Sequence, residues 1–197
     1  MFDLKSLFPY AFNKRYEKPV AYFSMEFGID QALKIYSGGL GFLAGSHLRS
    51  AFELQQNFVG IGILWKYGYY DQERNMDGTM KASYIEKNYS FLTDTGIVFP
   101  ITIHNHTVQV KAWLLRPEVF QTAPLFLLST DLPQNDHLAQ TLSHRLYDPH
   151  ESARIAQSIL LGSGGAKLLD IIGRETEIYH LNEGHGLPAC FYLWNKY

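Results

Sequence analysis

Between residues 37 and 41 the chain reads Ser-Gly-Gly-Leu-Gly, and the positions that follow, Ala44, Leu48, Ala51 and Phe52, recur at helical spacing. Glycines between a strand and a helix let main-chain N–H groups approach an oxyanion closely, and the helix amino terminus adds a partial positive charge. Phosphate is the guest such a turn suits. The stretch Gly39-Leu-Gly41-Phe-Leu-Ala44 also fits the loose dinucleotide pattern G-x-G-x-x-A, which alone is a weak signal. A nicotinamide site needs an acidic residue at the end of the second strand to hold the ribose hydroxyls, whereas that strand runs out at Leu64-Trp65-Lys66. A P-loop nucleotidase lacks support, because the sequence has no G-K-[ST]. The competing reading is a tight turn with no ligand.

The elements that must position this turn lie on either side of it. Pro19-Val-Ala-Tyr-Phe-Ser-Met25 is an apolar and aromatic run of the kind that forms a buried strand, and Phe58-Val-Gly-Ile-Gly-Ile-Leu64 is a second. The helix between them is long enough for a parallel crossover, which predicts a Rossmann-like beginning. Further on, Gly68–Glu73, Ile101–His104, Thr107–Trp113 and Pro124–Ser129 are short runs, several of them alternating, and His104-Asn105-His106 marks a hairpin turn. These predict an antiparallel elaboration on one edge of the parallel sheet. The spacing of Ile155, Ile159, Gly162, Ala166 and Leu169 predicts a long helix over 151–172. Gly162, Gly164 and Gly165 within it each cost roughly 1 kcal/mol relative to alanine, so their presence implies close backbone packing. Glu177–Leu181 predicts another strand, and His185 to Trp194 the start of a helix.

The expected fold class is therefore α/β, with a Rossmann-like parallel core. Residues 1–18 read as a lead-in and 19–197 as one domain whose end at Tyr197 is abrupt for a sheet still gaining strands. At 197 residues and 46% hydrophobic content the chain can bury a sizeable core. A net charge of -2 with no basic run gives no footprint for nucleic acid or an anionic membrane. The single cysteine, Cys190, excludes an internal disulfide and makes a cytoplasmic location the default. The first ten residues are too short and too interrupted for a signal peptide or span. His47, His104, His106, His137, His144 and His150 lack metal-ligand spacing, so no metal is expected. Trp65, Tyr67, Tyr69 and Tyr70 suit either packing or stacking on sugar rings, with packing the commoner use.

Six segments in order carry a resemblance: Tyr22–Gly28 (YFSMEFG), Ile35–Gly45 (IYSGGLGFLAG), Val59–Tyr70 (VGIGILWKYGYY), Leu127–Asp131 (LLSTD), Arg154–Gln157 (RIAQ) and His180–His185 (HLNEGH). They closely resemble successive motifs of the α-glucan phosphorylases, the short bacterial type above all. The resemblance covers roughly residues 19 to 190. It implies the first half of a two-domain glycosyltransferase of the GT-B type, in which two Rossmann-like domains face each other across a cleft. It also implies retaining phosphorolysis, in which orthophosphate releases glucose 1-phosphate from the end of an α-1,4-glucan. The implied cofactor is pyridoxal phosphate, acting through its phosphate group; its attachment lysine would lie beyond Tyr197, so the 197 residues alone are expected to be inactive. Carried over residue by residue, Gly38, Gly39 and Leu40 match the turn whose amides meet the substrate and cofactor phosphates. Glu26 resembles an acidic residue near the glucosyl pocket. Asn182, Glu183 and His185 resemble the segment lining the sugar side, and Arg154 matches an arginine near the mouth of the site. Glucan and inorganic phosphate are the implied partners, and a homodimer the common assembly.

Bland alternatives stand beside these roles: a satisfied strand-end carboxylate for Glu26, a helix-start histidine for His185, and an i, i+3 surface pair with Glu151 for Arg154. Ser46 replaces an aspartate usual in the short bacterial enzymes, and Asp148-Pro-His150 departs from a glycine-rich segment, which removes support for a gate-like loop at Tyr147 to Glu151. Two rival functions remain open. One is a nucleotide-sugar glucosyltransferase of the glycogen-synthase type, which also joins a lysine, here Lys34, to a G-G-L-G turn. The other is a non-catalytic glucan-binding module.

Overall fold

The computed structural model describes residues 4–197. In chain order, β1 (Val20–Phe23), α1 (Gly39–Glu53) and β2 (Phe58–Ile63) form the first crossover, followed by a ribbon of β3 (Asp71–Arg74) and β4 (Met80–Ser83). Next come β5 (Thr93–Ile103), β6 (His106–Leu115), the single turn α2 (Pro117–Phe120) and β7 (Leu125–Ser129). The last part holds α3 (His137–Thr141), α4 (Glu151–Ile159), a π-helical turn (Leu160–Gly164), α5 (Gly165–Ile171), β8 (Ile178–Leu181) and α6 (Pro188–Lys196). Six strands make one mixed sheet in the order β5-β6-β7-β2-β1-β8, and β3-β4 forms a separate small antiparallel sheet.

The parallel core consists of β7, β2, β1 and β8. Every residue of β2 and β7 is buried, as strands covered on both faces require, which is why both read as unbroken apolar runs. Alternation along β2 shows what covers each face. A side chain at Gly60 would meet Leu48 of α1, whereas Ile61, pointing the other way, abuts Gly165 of α5. The helices thus sandwich the sheet. No helix among the described residues is long and apolar enough to cross a membrane.

The structure departs from the sequence-based expectations in specific places. Pro124–Ser129 was expected in the antiparallel elaboration, yet β7 pairs parallel with β2 and antiparallel with β6, so it joins the two regimes. An apolar run carries no information about strand direction, which the chain's path decides. The ribbon β3-β4 hydrogen-bonds to no strand of the main sheet, and β5 begins at Thr93, well before the apolar part that signalled it. The hairpin turn falls as expected, with His104 and Asn105 at φ 48° and 63°, the left-handed pair a two-residue connection needs. The long helix is present but interrupted by the π-helical turn. Its glycines mark close contact: a Cβ on Gly162 would lie 2.6 Å from the Ala189 amide nitrogen, and one on Gly165 would lie 2.5 Å from Ile61. The residues ahead of β1 also pack onto the domain, with Leu7 in the core and the Tyr10 hydroxyl donating to the Gln56 carbonyl.

The tightest approach concerns the start of α1. A Cβ on Gly45 would sit 2.1 Å from the Gly28 carbonyl oxygen, and the Gly28 N–H donates to the Gly41 carbonyl at 2.7 Å. Alanine normally gains about 1 kcal/mol over glycine inside a helix, but here it would force backbone apart. Gly45→Ala is expected to lower stability by about 1–3 kcal/mol in a denaturant titration. Gly39→Ala, where a Cβ meets open space, is expected to stay within about 0.5 kcal/mol of the parent.

Candidate functional site

Strand β1 lies between two crossovers that diverge: through α1 the chain moves to β2 on one side, and through α4 and α5 it returns to β8 on the other. Loops leaving the carboxyl ends of β1 and β8 must part there, and the crevice between them is where open α/β sheets hold ligands. Glu26 follows β1, Gly38 to Leu40 open α1, and Asn182, Glu183 and His185 follow β8.

Glu26 is 2% exposed, and both its carboxylate oxygens are engaged. Oε2 accepts the N–H groups of Ser37 at 2.6 Å and Gly38 at 3.1 Å, and Oε1 accepts the Tyr147 hydroxyl. The carboxylate therefore faces the turn and not the open crevice. Of the residues to which the resemblance assigns roles, Glu26 thus accepts from the turn and from Tyr147, and the Gly38 N–H is taken by Glu26. Gly39 and Leu40 differ. As the first residues of α1 they have no intrahelical acceptor, and among the described residues nothing else accepts from their N–H groups. A Cβ added at Gly38 or Gly39 would meet nothing within 4 Å.

On the β8 side, Asn182 is buried; its N–H donates to the Phe23 carbonyl at 2.9 Å and its side chain to Ser24 Oγ at 3.1 Å. Ser24 Oγ in turn donates to the Glu26 carbonyl at 2.8 Å, so the ends of β1 and β8 are tied by one short chain of bonds. Asn182 thus ties the two sides of the crevice together. Glu183 is exposed at φ 63°, ψ −174°, a region that is essentially glycine-only and costs about 1–3 kcal/mol for other residues. His185 is half-buried, its ring lies 5.9 Å from that of Tyr147, and its Nδ1 is buried without a hydrogen-bond partner. Arg154 sits exposed on α4, a helix that packs beside Gly184–Gly186, and among the described residues it forms no ion pair with Glu151.

Two features escaped the sequence reading. Tyr147 closes the Glu26 pocket from a loop 121 residues away. Burial pushes its hydroxyl well above the usual phenol range, and the bond to Glu26 and the charges of Glu26 and Glu183 act in the same direction, so it stays a donor. Its only local signal was a tyrosine before Asp148-Pro. The second feature joins the ends of β2 and β7: Lys66 Nζ lies 2.8 Å from Asp131, and His144 Nε2 is 3.2 Å from the other oxygen of that carboxylate. Lys66 and Asp131 stood within quoted motifs, yet nothing in the sequence paired them.

Comparison with known proteins bears on the arrangement. No family profile matches the chain. An uncharacterized protein of Methanocaldococcus jannaschii is 51% identical over 180 residues, 91% of this chain and 34% of that protein. The maltodextrin phosphorylase of Thermococcus litoralis is 38% identical over 185 residues, 90% of this chain and 22% of that enzyme. The glycogen phosphorylase of Mycobacterium tuberculosis is 33% identical over 180 residues, 84% of this chain and 20% of that enzyme. This chain is a homologue of an amino-terminal portion of the maltodextrin and glycogen phosphorylases. It spans about a third of the length of the first relative and about a fifth of the length of the phosphorylases.

In this phosphorylase homologue the Lys66–Asp131–His144 group makes the carboxyl edge of the sheet sensitive to acid. Partial burial raises the Asp131 pKa, but hydrogen bonds and charge from Lys66 and His144 outweigh it, and the net shift is downward. A depressed carboxyl stabilises the fold above its unfolded value of about 3.9 and loses that contribution as pH falls through the folded value. Thermal midpoints measured from pH 6 to pH 3 are therefore expected to drop most steeply below about pH 4. Asp131→Asn is expected to start lower at pH 6 and decline less over the same interval.

Proposed function

We propose that this chain forms one wall of the phosphate and sugar cleft of an α-glucan phosphorylase, an enzyme that transfers the terminal α-1,4-linked glucose of a glucan to orthophosphate. The observation that carries the reading is the turn at the start of α1. A buried carboxylate takes the Ser37 and Gly38 amides, leaving the Gly39 and Leu40 N–H groups without an acceptor at a helix amino terminus. Donors fixed in advance favour an oxyanion because no reorganisation accompanies binding. The phosphate of pyridoxal phosphate fits the same donors, and when bound that cofactor supplies a second phosphate for proton exchange with the substrate. Gly39 and Leu40 are the residues of this chain that would hold either group.

On the sugar side, exposed Glu183 offers a carboxylate to a hydroxyl, with the half-buried His185 two residues on. Backbone strain at Glu183 is of the kind that persists where a side chain is kept for function. Arg154 belongs at the mouth of the cleft. In this reading a second Rossmann-like domain faces the crevice in the GT-B manner, and phosphorolysis belongs to the protein that carries both. The phosphorylase relatives favour it over a nucleotide-sugar transferase. The Lys34 ammonium, on which that rival leaned, is held by Gln31 at 3.1 Å.

Gly39→Pro tests the anion grip directly, because proline at the first helical position keeps the helix and deletes one donor. Titration of the 197-residue chain with orthophosphate, followed by phosphorus NMR, is expected to show saturable binding that weakens about tenfold or more in the variant. No saturable binding by the parent, or equal binding by both, contradicts the proposal.

A further inference from the structure

Beside the glycine turn lies a depression of about 260 Å³, lined by Lys34, Tyr36, Ser37, Tyr69, Tyr70, Asp71, Gln72 and Lys87. It adjoins the crevice through two of these residues. Ser37 gives its N–H to Glu26, and the phenol of Tyr69 is close enough to Tyr147 to bear on its titration. The four aromatic residues of the Trp65–Tyr70 segment divide here. Trp65 is fully buried, with its indole N–H on the Met25 carbonyl at 2.9 Å, and Tyr67 packs edge-on against His144. Tyr69 and Tyr70, with ring centres 4.5 Å apart and 37% of Tyr69 exposed, instead form an aromatic surface open to the depression.

The charges indicate what that surface takes. The Lys87 ammonium is paired with Asp71, whereas Lys34 is exposed, bonded to the neutral Gln31, and keeps its charge at the rim. Phenol hydroxyls, the Ser37 hydroxyl and the Gln72 carboxamide line the rest, a set suited to a neutral polyhydroxylated ligand against an apolar ring face. The volume falls just below the range of about 300–1,000 Å³ typical of clefts that enclose a whole small ligand. It suits a short length of a longer molecule.

We propose that this depression is a separate saccharide subsite, in which Tyr69, Tyr70 and Gln72 hold a glucan chain running on from the crevice. The proposal rests on the glucan reading above. Calorimetric titration of the 197-residue chain with maltose, maltoheptaose and orthophosphate tests it, in the parent and in Tyr70→Ala and Gln72→Ala. Both variants are expected to bind maltoheptaose about tenfold more weakly, with orthophosphate affinity unchanged and maltose affected less. Gln72 is exposed on β3, so its variant carries the test even where circular dichroism shows Tyr70→Ala misfolded. Equal maltoheptaose binding by parent and folded variants overturns the subsite and leaves the glucan reading standing. A parent that binds orthophosphate but no maltoheptaose defeats both. Orthophosphate affinity that falls in the variants makes the depression an anion pocket and overturns the proposal.

Discussion

A carboxylate taken out of water must find donors, and in this fold Glu26 finds three: two amides of the glycine turn and one phenol from a distant loop. That requirement fixes the turn. With the Ser37 and Gly38 N–H groups taken by the carboxylate, the next two amides are left without an acceptor at the head of α1, where the helix presents its positive end. The same carboxylate binds Tyr147, which brings the 147–150 loop over the crevice and its ring toward His185. One buried group thus coordinates the end of β1, the start of α1 and the loop before α4.

Packing keeps that arrangement rigid. The Gly28 backbone donates to the Gly41 carbonyl and presses on Gly45 too closely to admit a side chain there, while Tyr36 closes the space beside Gly41. On the far face, Gly165 lets α5 settle onto Phe23 and Ile61, and Gly162 lets the π-helical turn meet the amino end of α6. Helices held this close to the sheet leave the strand ends little freedom, so the loops at the crevice inherit a fixed spacing. The strained Glu183 turn is tolerable because Asn182, next to it, is anchored to Phe23 and Ser24.

What was legible in the sequence was local chemistry. Glycines at 38, 39 and 41 announced a strand-to-helix turn, and Asn105 after His104 announced a hairpin, because each constrains its own backbone. The placement of β7 was not legible, since an apolar run buried on both faces looks the same in either direction. Nor was the role of Glu26. Its neighbours in sequence gave a carboxylate at a strand end, but what it does depends on Tyr147, 121 residues away, and no local pattern encodes that contact. The Lys66–Asp131–His144 group was hidden for the same reason, each member lying at the end of a different element.

Glu26 divides the turn into two amides that it holds and two left without an acceptor, the pair proposed to take an anion. Amide NMR of the 197-residue chain reads that division residue by residue. Slow solvent exchange is expected at Ser37 and Gly38, with saturable shifts at Gly39 and Leu40 on adding orthophosphate while the first two hold still. Shifts at Ser37 and Gly38 with none at Gly39 and Leu40, or rapid exchange at all four, would contradict that division.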